Sequence, residues 1–111
     1  MWERACPPTA RLYPSLVNFA DEVIFVSGGS TLKIYEWYET VDRYSIKEDK
    51  WSTAPNLNHA RNGHSSCVLG DTIFTFCGYN GDSDFLSSIE SLNARALIDG
   101  FISPEPEWIL V

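Results

Sequence analysis

Basic residues are scarce in this chain. Eight Lys and Arg stand against fifteen Asp and Glu, a formal charge of −7 at pH 7. No local Lys/Arg cluster offsets that field, which excludes nucleic acid and anionic membrane as natural partners. Long apolar runs are missing as well: the opening MWERACPPTARLYP has no signal-like core, and nothing later approaches a membrane-spanning length. Cysteine is limited to Cys6, Cys67 and Cys77, with no CxxC pair and no His at zinc-finger spacing, against both a disulfide framework and a zinc site. In a tight hairpin turning on Gly70-Asp71, Cys67 faces Phe74 and Cys77 falls on the opposite side of the sheet, so the two do not meet. A reduced, cytoplasmic setting follows. Helical periodicity is also absent, since no window longer than about ten residues keeps a 3.6 repeat.

What is present is an apolar content of 44 % with 14 % aromatics in 111 residues, enough for one small packed domain. Apolar residues recur at spacing two between frequent turn residues, so the chain reads as all-β. Compared with itself, it repeats. Ala10, Arg11 and Ser15 of ARLYPSLVNF match Ala60, Arg61 and Ser65 of ARNGHSSCVL; VIFVSGG, ending at Gly28-Gly29, matches TIFTFCG, ending at Cys77-Gly78. TVDRYS then matches SIESLN, pairing Asp42 with Glu90 and Tyr44 with Leu92, and Trp51 answers Trp108 after a longer second loop. Trp2 opens a similar Trp-to-Ala-Arg segment. The expected organisation is a remnant and linker over residues 1–9, repeat 1 over 10–54, and repeat 2 over 55–111 with an insertion at 94–106. Each repeat reads as four short strands: Ser15 to Phe19, Val23 to Ser27, Thr40 to Ser45 and Lys50 to Thr53, then His64 to Leu69, Thr72 to Cys77, Leu86 to Asn93 and Glu107 to Leu110. Four antiparallel strands per fifty residues is the pattern of a propeller blade.

The repeat resembles the kelch repeat: a strand ending in Gly28-Gly29, an apolar-acidic strand reaching Tyr44, then Trp51, a Pro, and an Arg opening the next unit. The second copy is degraded, keeping Gly78 and Trp108 but placing Cys77 and Leu92 where Gly28 and Tyr44 stand. The resemblance implies an incomplete β-propeller of two four-stranded antiparallel blades, whose uncovered faces call for further blades from a longer chain or from oligomerisation. Trp2, Trp51 and Trp108 are expected to pack between blades. The glycines are expected to end a strand in geometry that a Cβ opposes, with the second position the stricter one.

Catalytic and ligand chemistry finds little to stand on. SGGSTLK is not GxxxxGK[ST] and precedes no predicted helix, so Gly28-Gly29 is not a phosphate loop. His59, His64, Ser65, Ser66 and Cys67 hold the residue types of a nucleophilic site without an oriented acid or oxyanion hole. His59 and His64, and Asp82 and Asp84 in YNGDSDF, lack the companions that a metal needs. No cofactor is expected. In propellers of this kind the loop between strands two and three gathers with the interblade linker on one face, so Tyr35, Trp37, Tyr79 and Asp82 become candidate partner contacts. Arg11 and Arg61 are candidates to meet an acidic peptide motif. The resulting expectation is a non-catalytic protein-interaction module with a protein partner. Substrate recognition for a ubiquitin-ligase adaptor and a cytoskeletal scaffold are the roles the resemblance implies. The alternatives are part of a kelch-containing oxidase and a remnant without a folded role.

Overall fold

The computed structural model describes residues 7–31, 36–80, 85–100 and 104–111. Among them the elements run β1 (Ser15–Phe19), β2 (Val23–Ser27), β3 (Val41–Ser45), β4 (Lys50–Ala54), β5 (Ser65–Leu69), β6 (Thr72–Phe76), β7 (Ile89–Asn93), α1 (Ala94–Asp99) and β8 (Ile109–Leu110). They form two four-stranded antiparallel sheets, in the orders β1-β2-β3-β4 and β5-β6-β7-β8. These are the two blades, each a simple meander because every connection joins neighbours.

Alternation along each strand decides what the blades bury. In the first blade Val17 pairs with Phe25 and Phe19 with Val23, while Ser27 pairs with Val41, so these side chains share one face. In the second blade Val68 pairs with Ile73, and Ile73 with Leu92, forming the face that meets them. Phe19, Val23, Phe25, Val41, Ile73, Leu92 and Trp108 make one buried cluster, joined by Leu57 from the linker. At roughly 1.5–3 kcal/mol per large apolar side chain buried, this interblade core is the main source of stability. The opposite faces, carrying Leu16 on one blade and Leu69 on the other, stay open, at 62 % and 66 % exposure.

The repeat reaches down to individual backbone bonds. Leu12 N donates to Ser30 O as Asn62 N donates to Tyr79 O; Tyr38 N donates to Gly29 O as Leu86 N donates to Gly78 O; Ile46 N donates to Glu22 O as Ala94 N donates to Asp71 O. The one-residue difference between repeats lies in the β1–β2 turn, where Ala20 and Asp21 take φ of 55° and 57°, against the shorter turn on Gly70 at 61°.

Three expectations need correction. The insertion after β7 is not all loop: Asn93 accepts a bond from Ala96 N at 3.0 Å, and Gly100, at φ 70°, donates to Ala96 O, so α1 is capped at both ends. Six residues are too few for a periodicity test over eleven or more, which is why the helix is invisible to it. β7 begins at Ile89 rather than Leu86, because Leu86 N is spent on Gly78 O inside the loop. β8 is confined to Ile109–Leu110.

Candidate functional site

Each blade begins with an arginine that ties its own loop to its own third strand. Arg11 Nη1 donates to Gly28 O at 2.7 Å and Thr40 O at 2.9 Å, and Nη2 reaches Thr40 Oγ1 and, at 2.9 Å, Asp42 Oδ2. Arg61 repeats the set on Cys77 O, Ser88 O, Ser88 Oγ and Glu90 Oε2, the last at 2.8 Å. The Arg61 and Glu90 side chains have no exposed surface, and Arg11 retains 2 %. The expectation that these arginines meet an acidic peptide on a partner is therefore overturned. Their fork of donors is consumed by loop carbonyls and a carboxylate that the internal alignment had already paired as Asp42 and Glu90. Glu90 in turn accepts from the backbone of Asn58 and His59, clamping the interblade linker. Because both members of each pair are buried, removing one leaves an uncompensated charge, at a cost of about 3–5 kcal/mol.

The double glycine is the seat on which the next blade rests. Gly29 N donates to Arg61 O at 2.8 Å and Gly63 N to Tyr13 O at 2.9 Å. A Cβ on Gly28 would lie 2.3 Å from Arg61 O and 2.6 Å from His64 Cε1, whereas one on Gly29 would meet nothing closer than 3.0 Å. The first glycine is thus the more crowded, approached by a carbonyl and an imidazole, while the second carries the stricter backbone demand, as expected, with φ of 95° at Gly29 and 94° at Gly78 against 64° at Gly28 and Cys77. Cys77 holds the same left-handed φ, 64°, with its side chain exposed and no other sheet among the described residues packed against it.

His64 completes the seam. Its Nε2 lies 2.9 Å from Ser27 Oγ, and its Nδ1 is buried without a hydrogen-bond partner. Burial first, then the Arg61 charge, push its pKa down to about 4 against the opposing pull of Glu90, so the ring is neutral at pH 7. Ser66 bonds Ser15 at 2.8 Å and Thr75 at 2.5 Å. Of the residues whose types suggested nucleophilic chemistry, His64 and Ser66 are thus spent on holding the blades together, and His59 Nδ1 lies 3.1 Å from Ser88 Oγ within its own repeat. Cys67 pairs with Phe74 and is a free thiol, as is Cys77.

What the loop end offers outward is aromatic. Trp37, from the β2–β3 loop, packs edge-on against Tyr79 of the second blade at 6.3 Å between centroids, and Tyr79 lies 5.9 Å from Phe85. Isolated bridges Ser30–Trp37 and Tyr79–Phe85 hold the loop backbones in equivalent places. Phe85 is 84 % exposed. Phe85 escaped the sequence reading, though it aligns with Trp37 once the repeat is carried through the loops. Tyr38 is covered by Arg11, 5.0 Å above its ring. Glu36 and Glu39 are exposed beside this cluster. Tyr35, Asp82 and Trp2, also singled out from the sequence, lie outside the described residues. Of the remaining landmarks, Trp108 is buried between the blades with Nε1 bonded to Pro55 O, while Tyr44 and Trp51 pair at 5.1 Å on the first blade's open face.

Two meander sheets stacked face to face, each opened by a buried arginine and hinged on a glycine-ended strand, define consecutive blades of a propeller-type repeat. The chain belongs to the kelch-repeat family: the Kelch motif model matches residues 11–58 and 60–96. It is 37 % identical over 57 residues to Kelch-like protein 4 of Homo sapiens, covering 51 % of this chain and 8 % of that protein. It is 30 % identical over 69 residues to Kelch-like protein 36 of Bos taurus, covering 62 % and 11 %. It is 30 % identical over 73 residues to Beta-scruin of Limulus polyphemus, covering 61 % and 8 %. The chain thus corresponds to a small part of the length of each relative.

Proposed function

We propose that this chain is a non-catalytic protein-interaction module that takes a cationic peptide segment of a partner protein on its loop end. The observation that carries this reading is the aromatic row Trp37–Tyr79–Phe85, which runs across both blades and ends in a phenyl ring 84 % exposed to solvent. Aromatic rings of this kind dominate binding energy at interfaces and attract Lys and Arg over their faces. The charge nearby supports the same sign of partner: Arg11 and Arg61 are neutralised by Asp42 and Glu90, while Glu36 and Glu39 face water. Substrate recognition for a ubiquitin-ligase adaptor and cytoskeletal scaffolding are the two settings that the family implies for such a surface. The exposed free thiols of Cys67 and Cys77 favour a reducing, cytoplasmic one.

The test is selection of binders from a random peptide display library against the purified chain. The reading expects enrichment of Lys/Arg-containing peptides whose binding falls at least about tenfold with Phe85→Ala or Trp37→Ala. Binders that are acidic, or that ignore both substitutions, would defeat it.

A further inference from the structure

Among the described residues, Tyr13 is the one aromatic held at a left-handed backbone, with φ of 57°. Ala20, Asp21 and Asp49 share that region inside the turns that join strands, and Cys77 stands where the first repeat has Gly28. A bulky side chain at positive φ is a genuine outlier, because its Cβ crowds the following carbonyl. The second repeat shows what the corner favours: Gly63 stands opposite Tyr13 and takes φ of 61°. The backbone on either side is fixed identically, Leu12 and Ser30 exchanging the two bonds that Asn62 and Tyr79 exchange. Packing does not offset the strain, since the Tyr13 ring is 71 % exposed and lies outside the buried cluster.

That exposure belongs to the corner itself and does not depend on what precedes the first blade. Gly63 occupies the same corner with a blade already seated against it, donating its N–H to Tyr13 O while Gly29 N donates to Arg61 O. Gly63 is nevertheless exposed, and a Cβ built on it meets nothing within 4 Å. A side chain leaving this corner therefore starts into open space even with the preceding blade in place. The corner also adjoins the aromatic row: one backbone bond ties Tyr13 to Gly63, and the next residue, Asn62, bridges Tyr79 at the middle of the row. Tyr13 leads into β1, the strand that approaches β5 of the other blade through Ser15 and Ser66 at 2.8 Å. It thus stands at the inner edge of the loop end, while the row occupies the loops after β2 and β6.

We propose that Tyr13 is a partner-contact residue, a second anchoring ring at the inner edge of the loop end for the same cationic peptide segment that Trp37, Tyr79 and Phe85 receive. This rests on the reading of the aromatic row given above and adds a contact point to it. Strained backbone persists where it holds a group in place for a ligand. A tyrosine on a corner locked by hydrogen bonds presents a large, rigid surface and loses little conformational freedom on binding. Its face attracts a Lys or Arg side chain as the row does, so the ligand is a segment carrying two basic residues, one for each anchor.

The test takes the peptides selected on the wild-type chain and measures their dissociation constants by fluorescence anisotropy against Tyr13→Gly and Tyr13→Phe, with urea unfolding of each protein alongside. Glycine takes the left-handed φ freely, so Tyr13→Gly is expected to raise the urea midpoint and, at the same time, to weaken binding about five- to twentyfold. Tyr13→Phe keeps the ring and is expected to bind within about twofold of wild type. A lower midpoint for Tyr13→Gly would make the ring a structural support and overturn the proposal, and a loss with Tyr13→Phe as large as with glycine would take the contact away from the ring. Peptides that respond to Trp37→Ala and Phe85→Ala but bind Tyr13→Gly as tightly as wild type leave the row standing and sink this proposal alone. Peptides that are acidic or ignore the row sink the reading of the row, and this proposal with it.

Discussion

At the scale of single residues, the first repeat and the second answer the same backbone demand differently, and packing explains the difference. Gly28 and Cys77 share a left-handed φ near 64°, yet only Gly28 is covered by a neighbour. Gly28→Ala combines that unfavourable conformation with a methyl group 2.3 Å from Arg61 O, and we expect it to lose about 2–4 kcal/mol of unfolding free energy in urea titration. Cys77→Gly is expected to be neutral or to gain up to about 1 kcal/mol. Equal losses at both positions would contradict this account. His64 gives a second residue-level prediction. Its folded-state pKa of about 4 lies below the unassociated value of 6.5, so the unfolded chain binds the proton more readily. Its contribution is whole above pH 6.5 and is lost as pH falls toward 4, by roughly 3 kcal/mol across the window. Unfolding free energies of wild type and His64→Gln measured from pH 7.5 to 4 should converge as the pH drops, and parallel curves would refute the assignment.

At the scale of elements, the strands were legible because a period of two, punctuated by turn residues, specifies them locally. β1, β2 and β5 through β6 follow directly from Val17–Phe19, Val23–Ser27 and the run around Ile73. The helix was not legible as a period, but its caps were in plain view: Asn93 at one end and Gly100 at the other. The buried arginines illustrate the converse limit. Arg11 and Arg61 stood out as repeated cations, and sequence spacing alone gave no means of seeing that Asp42 and Glu90, some thirty residues on, face them inside the blade. α1 matters to packing because Leu97 and Ala94 enter the interblade core beside Trp108. Asn93→Ala is expected to cost about 1 kcal/mol through the lost cap, and Leu97→Ala about 2–4 kcal/mol through the cavity it leaves. A Leu97→Ala chain as stable as wild type would mean that the insertion is an appendage rather than part of the core.

At the scale of the whole molecule, the question is whether two blades behave as one cooperative body or as two beads. In a repeat array the answer depends on the interface relative to each unit's own stability. Here the large apolar residues of both blades share one buried cluster, Phe19, Phe25 and Val41 of the first with Ile73, Leu92 and Trp108 of the second. The seam adds Gly29 N to Arg61 O, Ser27 to His64 and Ser15 to Ser66. An isolated blade is a four-stranded meander with no second layer, short of what a sheet needs to hold itself in water. We therefore expect a single transition. Trp51 reports on the first blade through its contact with Tyr44, and Trp108 on the interblade core, so two variants that each keep one of these as the sole tryptophan provide separate probes. Their urea unfolding curves, followed by fluorescence and corrected for any stability change by far-ultraviolet dichroism of the same sample, are expected to coincide with the dichroism in midpoint and slope. If Trp51 reports a transition at lower urea than the dichroism of its own sample, the first blade unfolds on its own, and the interface is weaker than its buried residues imply.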